Sequence, residues 1–319
     1  MVNGKKSEIQ VLQKLAHLFG TVVKKNRLDI PEKFGWGYCT GFVFNEHIRM
    51  LILNYELNSD IIIENPDVNV TSRTIFFKFQ NIFRAPAKEM QGNRLNVTPS
   101  VLIATKNLIP ESVISVHTNT ATINIEVDAG YLNGLFDSSE KSPVLKSLLQ
   151  NVQPLLFEEL IYTSLQKIAD EILSESVDET FKLFFLRIKS EELICRLLME
   201  LEKRDEKRIY DLNTQDINTI YKVKEEILKQ LDIPPEINNL AVYAGMSPTK
   251  LKRLFKQIFG NSIFNYYQQF RMKEAASLLK NEKLSVADAG YRLGFTNLSH
   301  FARVFKDHLG VKPKQYSKS

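Results

Sequence analysis

The chain is poor in cysteine and has no long apolar run. Its 319 residues include two cysteines, Cys39 and Cys195, which lie far apart in the sequence. Two separate thiols do not form the disulfide framework of a secreted domain, so we expect a reduced, cytoplasmic protein. No run of about 20 apolar residues occurs, which predicts no spanning helix and no membrane partner. Met1 to Gly20 predict a short amphipathic helix rather than a signal peptide.

The sequence also lacks the motifs of common catalytic sites. It contains no Walker A loop, no dinucleotide-binding glycine motif and no Gly-x-Ser-x-Gly elbow. Glu46-His47 is the nearest approach to a cluster of metal ligands, and a lone histidine near a strand turn is more often structural. Cys39 has no Cys-x-x-Cys partner, which favours a buried, inert thiol. We therefore predict no catalytic residues, no metal, no cofactor and no enzyme activity.

Positive charge is concentrated at the C-terminal end of the chain. Pro234 to Ser319 carry 14 Lys and Arg against 5 Asp and Glu, a net charge of +9, while the whole chain carries +5. The length of the chain predicts two domains. Neutralising the phosphates of a nucleic acid is one use for such a charged segment. The alternative is a solvated basic surface that keeps the chain soluble.

This basic segment contains an internal repeat. Leu251 to Gly260 align with Phe301 to Gly310 at a constant offset of 50 residues. Upstream, the offset is 49 residues, and Gly245 aligns with Gly294. The same pattern therefore occurs twice, with one extra residue in the second copy.

Each copy of the repeat predicts a helix, a tight turn and a second helix. Apolar residues at i, i+3, i+4, i+7 and i+8 form one stripe on the second helix of the first copy. Ser247 is an N-cap candidate, Pro248 suits the first helical position, and Gly260 ends the helix. In the second copy Thr296 or Asn297 is the cap. The short preceding helices are predicted over Ile237 to Ala244 and Ser285 to Leu293, as in a helix-turn-helix unit.

A connecting helix is predicted over Ile263 to Leu279, between the two units. About 17 residues at ~1.5 Å each give a rod of roughly 26 Å. Successive major-groove faces of a duplex are ~34 Å apart. The rod and the bodies of the two units can therefore place two recognition helices in adjacent grooves.

At these residues the chain resembles the C-terminal DNA-binding domain of the AraC/XylS family of bacterial transcription regulators. The resemblance covers about Pro235 to Tyr316 and is most specific in SVADAGYRLGFTNLSHFARVFKDHLGVKPKQY, where glycine, phenylalanine, proline and tyrosine stand at the family's spacing. It implies two helix-turn-helix units joined by a long helix, with both recognition helices in the major groove of double-stranded DNA. It also implies an effector, and it makes RNA polymerase and a second copy of the chain candidate partners.

Carried over position by position, the resemblance implies the residues that contact DNA. The base-facing candidates are Thr249, Lys252, Arg253, Leu298, Ser299, His300 and Arg303. Either arginine can pair with guanine through two hydrogen bonds. Lys250, Lys256 and Lys306 are expected to contact phosphates, which position the protein without specifying a sequence. For each charged residue, a solvated helix face or a salt bridge within the domain is the alternative.

Two positions depart from the family's usual residues. Leu298 is apolar where many members are polar, so it either touches a thymine methyl group or packs within the protein. Gly290 replaces the usual alanine, which weakens the short helix by ~1 kcal/mol.

The N-terminal part predicts an α+β domain. Short β-rich runs between residues 34 and 127 indicate a small barrel or sandwich, and family analogy favours a cupin-like barrel that senses an effector. Helical spacing from Leu156 to Ile172 and over Thr180 to Arg204 predicts two helices, which either mediate dimerisation or cover the core of the sensor. We thus expect a sensing and dimerisation domain over 1–203, helical over 153–203, a linker helix over 204–233 and the DNA-binding domain over 234–319.

Aromatic residues crowd the β-rich segment, and core packing is the default explanation for them. If some of them line an effector pocket, the candidates are Trp36 and Tyr38, with Arg49 or Arg73 to hold an anion. Two rivals to an effector-responsive regulator remain open. One is a metal-dependent cupin enzyme tethered to DNA, and the other is an architectural protein that binds any duplex.

Overall fold

The computed structural model describes residues 10–58, 73–83, 98–105, 120–136 and 141–318. The chain divides between Leu212 and Asn213 into two compact units. None of the described helices is long and apolar enough to cross a membrane.

The N-terminal unit is built on a single antiparallel sheet. The described residues form seven strands, which are β1 (Arg27–Asp29), β2 (Gly35–Val43), β3 (Ile48–Leu57), β4 (Thr74–Gln80), β5 (Ser100–Thr105), β6 (Thr120–Asp128) and β7 (Leu156–Leu160). Their order in the sheet is β1-β2-β3-β6-β4-β5-β7. The β-rich character predicted for this part is confirmed. All seven described strands belong to one sheet rather than to the two sheets of a sandwich, and β1 and β7 lie at its opposite edges.

Among the described residues, five helices accompany the sheet. They are α1 (Gln10–Phe19), α2 (Ala129–Gly134), α3 (Pro143–Gln150), α4 (Thr163–Ser174) and α5 (Glu179–Glu202). Because side chains alternate along a strand, β3 contributes to two cores. Met50 and its i±2 neighbours pack in the larger core with residues of α2 to α5. Leu53 and Tyr55 point the other way and pack with α1.

The predicted helix from Leu156 to Ile172 is wrong in its first part. Leu156–Leu160 is the edge strand β7, paired antiparallel with β5, and the helix α4 begins only at Thr163. Leu156, Phe157 and Glu158 are all buried. A strand that is buried on both faces shows no alternation of polar and apolar residues, so its pattern also fits a helix.

The C-terminal unit is entirely helical among its described residues. Its helices are α6 (Thr214–Lys229), α7 (Ile237–Ala244), α8 (Pro248–Phe259), α9 (Ile263–Lys280), α10 (Val286–Arg292), α11 (Leu298–Leu309) and α12 (Pro313–Tyr316). The residues expected to form a linker contain α6, which packs within this unit: the Tyr221 ring lies edge-on to Phe259 of α8, 5.6 Å between centroids. The helix α6 is therefore part of the C-terminal body.

Candidate nucleic-acid interface

The first helix-turn-helix unit consists of α7 and α8. The Ser247 side chain caps α8 by accepting a hydrogen bond from the backbone N–H of Lys250, and Pro248 follows at the first helical position. Gly245 ends α7 and Gly260 ends α8, both in the left-handed conformation, with φ of 60° and 69°. Left-handed backbone strains residues that carry a Cβ atom, so glycine fixes both helix ends at these positions.

The second unit, α10 and α11, repeats this arrangement. Of the two predicted caps, Asn297 is the one that acts: its side-chain oxygen accepts from the backbone N–H of His300 at 3.0 Å. Gly310 ends α11 as Gly260 ends α8. The Ser285 side chain caps α10 by accepting a hydrogen bond from the backbone N–H of Asp288. The observed helix is therefore one residue shorter at each end than the predicted helix.

The turn between α10 and α11 is held against the segment that follows α6. Gly294 has a φ of +75°, and a Cβ atom there would lie 2.1 Å from the carbonyl oxygen of Asp232. The Tyr267 hydroxyl of α9 donates to the neighbouring carbonyl of Leu231 at 2.9 Å. The connection between α6 and α7 is thus fixed against both α9 and the second turn.

A buried arginine joins α9 to the same turn. Arg271 is 5% exposed, and its guanidinium carbon lies 4.0 Å from the centroid of the Phe295 ring. It donates to Gln268 Oε1 at 2.9 Å and to the carbonyl oxygen of Leu293. Burial lowers the pKa of Arg271. The charge is retained because π and carbonyl groups replace its lost water, and the connecting helix is thereby fastened to the second unit.

Most of the predicted base-facing residues lie on the exposed faces of the two recognition helices. On α8, Thr249, Lys252 and Arg253 are exposed; on α11, Ser299, His300 and Arg303 are exposed, together with the predicted phosphate contact Lys306. Arg253 and Lys256 also interact with other residues of the chain. The His300 ring packs edge-on to Phe295, 5.8 Å between centroids.

Lys250 and Leu298 are less exposed than these residues and are engaged within the protein. Lys250 forms an ion pair with Asp216 of α6, with 2.9 Å between Nζ and Oδ1. Leu298 is half-buried and packs against α10 at Gly290, where a Cβ atom would lie 2.9 Å from Leu298 Cδ2. Of the two roles left open for Leu298, the structure therefore supports packing.

The four predicted effector-site residues do not form one cluster. Trp36 and Tyr38 share a face of β2, and Trp36 is 49% exposed, while the Arg27 guanidinium lies 3.8 Å from the Tyr38 ring centroid. Arg49 pairs with Val43 at the other end of the β2–β3 ladder and forms an ion pair with Glu126. Arg73 donates to the carbonyl oxygen of Gln150. Seven residues of strand, roughly 24 Å, separate Trp36 from Val43.

Sequence reasoning missed Asp216 and Arg271. Asp216 lies in the first turn of α6, where an acidic residue is usually explained by the helix dipole. Arg271 offered a clearer signal, because it is a cation inside a helix that was predicted to be buried. A buried cation needs a partner, and that requirement pointed to a structural role.

The metal alternative has little geometric support. The His47 ring stacks on Tyr131, 4.8 Å between centroids, and Glu46 lies 3.4 Å from His47 Nε2. In the parts of the chain that the structure describes, no group of three or more His, Cys, Asp or Glu residues is arranged to hold a metal ion.

Comparison with known proteins bears on the C-terminal unit. Residues 240–319 match a family profile described as "Helix-turn-helix domain". The HTH-type transcriptional regulator GbdR of Pseudomonas aeruginosa is 27% identical over 142 residues, which are 44% of this chain and 35% of that protein. The arabinose operon regulatory protein of Escherichia coli is 31% identical over 81 residues, 25% of this chain and 28% of that protein. The chain therefore spans less than half the length of either relative.

A solved structure of a probable AraC family transcriptional regulator from Rhodopseudomonas palustris is 29% identical and covers 32% of this chain and 95% of that one, with a TM-score of 0.30. The sequence matches and the duplicated, capped helix-turn-helix units agree for this part of the chain. Residues 240–319 form a helix-turn-helix domain, and in this domain the chain is similar to transcriptional regulators of the AraC/XylS family.

Proposed function

We propose that the chain is a sequence-specific, DNA-binding transcription regulator of the bacterial cytoplasm. The observation that carries this proposal is the pair of recognition helices, α8 and α11, which expose polar and basic side chains in a segment of net charge +9. The 18 residues of α9 measure ~27 Å. Together with the bodies of the two units, that length suits neighbouring major-groove faces about 34 Å apart.

Within this proposal the exposed side chains have two roles. Arg253 and Arg303 read guanine, and Thr249, Lys252, Ser299 and His300 contact neighbouring base edges. Lys256 and Lys306 contact phosphates. Lys250 contacts a phosphate only when its ion pair with Asp216 opens, and Leu298 supports α11 from within the protein.

The experiment measures sequence discrimination with the full chain. Duplexes enriched from a random library by the protein are compared with scrambled duplexes of the same composition, at one fixed salt concentration. A specific regulator binds its selected site about 10³-fold or more tightly than the scrambled duplex. A ratio near one would instead support the architectural alternative.

We also propose that the N-terminal unit senses an effector and dimerises through α5. Phe181, Phe184, Ile188, Cys195 and Met199 follow one another at spacings of 3, 4, 7 and 4 residues, so they share one face of the helix. All five are exposed, and Phe184 is 64% exposed. A narrow apolar stripe of this kind is typical of a helix that pairs with a second copy.

Sedimentation of the full chain tests the dimer. The double substitution Phe184→Glu and Ile188→Glu places two charges in the stripe and is expected to give a monomer, while Val152→Glu, at a side chain 77% exposed elsewhere in the unit, leaves the dimer intact. An unchanged sedimentation coefficient in the double variant would rule out α5 as the interface.

A further inference from the structure

The face of the sheet opposite the larger core carries a group of polar residues on adjacent strands. Asn124 of β6 stands between Leu51 of β3 and Lys78 of β4. One step along the same face, Thr122 is opposite Gln80, and Gln80 is opposite Ser100. Directly opposite residues on paired strands have Cβ atoms about 5 Å apart. We call Lys78, Gln80, Ser100, Thr122 and Asn124 the polar face.

Two residues of the polar face are buried. Thr122 is 5% exposed and Ser100 is 2% exposed. Ile123 and Val101, which follow them in sequence, belong to the larger core on the opposite face. An ordinary buried sheet face is apolar, because a buried polar group costs free energy unless it is hydrogen-bonded.

In the described parts of the chain, two polar atoms of this face find no hydrogen-bond partner. Thr122 Oγ1 and Asn124 Oδ1 are buried and unpartnered among the described residues. By contrast, Gln80 and Ser100 bond to each other at 2.9 Å. Unsatisfied buried polar atoms are rare in folded proteins and cluster at functional sites, so these two call for a specific explanation.

Lys78 lies directly opposite Asn124 on the same face of the sheet. Its side chain is exposed, yet the protein around it lowers the pKa of its ammonium group through desolvation. In the strand register Lys78 is the direct neighbour of Asn124, so its ammonium group is within reach of a ligand that contacts Asn124.

We propose that the polar face binds a small hydroxylated organic anion, which is the effector of the regulator. This inference rests on the sensor role proposed above and specifies the chemistry of its ligand. The Lys78 ammonium group pairs with a carboxylate or phosphate of the ligand. Asn124 Oδ1 accepts a hydrogen bond from a ligand hydroxyl, and the Thr122 hydroxyl can donate or accept. Leu51 and Leu102, which flank Asn124 and Lys78 in the register, contact the carbon skeleton.

Thermal unfolding of the full chain tests the ligand class. Gluconate combines a carboxylate with several hydroxyls, whereas glucose lacks the anion and acetate lacks the hydroxyls. A ligand that binds only the folded state raises Tm. We expect gluconate to raise Tm at millimolar concentration, and glucose and acetate to raise it much less. Equal effects of all three, or no effect of gluconate, would overturn the proposal.

Two variants link that effect to the polar face. Lys78→Met and Asn124→Leu are each expected to weaken gluconate binding by about tenfold or more, while Lys146→Met, an exposed lysine of α3, leaves it unchanged. Asn124→Leu and Thr122→Val should also raise Tm without ligand, because each removes an unsatisfied polar atom. A lower ligand-free Tm for both would assign these groups a structural role and reject the site.

Binding of the same variants to a selected duplex without gluconate separates this proposal from the one it rests on. The polar face lies in the N-terminal unit, so duplex affinity should not change. Absence of a gluconate effect in the parent chain, with its sequence preference intact, contradicts only the effector site, whereas absence of sequence preference in the parent chain contradicts the regulator itself.

Discussion

Gly290 of α10 and Leu298 of α11 are a matched pair. A Cβ atom at position 290 would lie 2.9 Å from Leu298 Cδ2 and 3.2 Å from Cδ1 of Phe301, a ring that is fully buried. These are the two positions at which the sequence departs from the AraC/XylS pattern that it resembles. Together they form one contact, in which the missing side chain of the glycine makes room for the leucine.

This pairing predicts a non-additive pair of substitutions. Gly290→Ala gains ~1 kcal/mol of helix propensity, but crowding against Leu298 and Phe301 costs about 1–3 kcal/mol. We expect a net loss of stability of about 1 kcal/mol in the parent and a smaller loss, or a gain, when Leu298 is replaced by Ala. Urea unfolding of the parent, both single variants and the double variant measures the coupling, expected near 1 kcal/mol. Strict additivity would contradict the pairing.

Arg303 and Lys306 are one turn apart on α11 and are expected to behave differently. Arg303→Ala should cost about 1–3 kcal/mol on a selected duplex and relax preference at one base pair. Lys306→Ala should weaken all duplexes alike and reduce the slope of log affinity against log salt by about 1. Equilibrium binding to a panel of single-base variants measures both effects. If Arg303→Ala lowers affinity for every duplex equally, Arg303 does not read a base.

The ion pair between Asp216 and Lys250 restrains a cation at the start of the first recognition helix. Asp216→Asn removes a negative charge beside α8 and releases Lys250 for a phosphate. We expect tighter binding to any duplex and a log–log salt slope that is steeper by about 1. In the Asp216→Asn, Lys250→Met double variant the slope should return to the parent value, and a steeper slope there would mean that Lys250 is not the group released.

Lys273 of α9 gives the domain a pH-dependent stability. Burial lowers the pKa of its ammonium group from 10.5 to about 8. Between these two values the unfolded chain binds the proton and the folded chain does not, so this group makes stability rise with pH across that window. Lys273→Met should therefore stabilise the protein by about 1–2 kcal/mol at neutral pH.

That advantage of the methionine variant should shrink as the pH approaches 10.5, because the folded parent no longer carries a buried charge. Chemical denaturation of both proteins at several pH values checks the trend. A difference that stays constant with pH would show that packing, not charge, separates them.

The C-terminal unit was largely predictable because its signals are local. The Ser247 cap, the stop at Gly260 and the apolar stripe of α8 each involve residues within a few positions of one another. The ion pair of Lys250 was not predictable, since Asp216 is 34 residues away and the packing of α6 brings it there. The roles implied by the family resemblance placed most contact residues on the exposed faces of α8 and α11. They did not show that Lys250 is already held in an ion pair.

The N-terminal unit was less predictable because sheet contacts join distant residues. Arg49 appeared free to hold an anion, and its partner Glu126 is 77 positions away. The polar face depends in the same way on the register of β6 with β3 and β4. In sequence, Thr122 and Asn124 are only the alternate residues of an ordinary strand, and their unusual burial becomes visible once the strands are paired.

The contacts of Leu231 and Asp232 determine where a fragment containing the C-terminal unit can begin. A fragment that starts at the double proline, Pro234-Pro235, would lose the backbone against which Gly294 is pressed and the acceptor of the Tyr267 hydroxyl. It would also lose α6, and with it the Tyr221 ring that packs against Phe259 and the Asp216 carboxylate that pairs with Lys250. Anyone excising the DNA-binding body for solution work should begin at Asn213, before the helix that closes it.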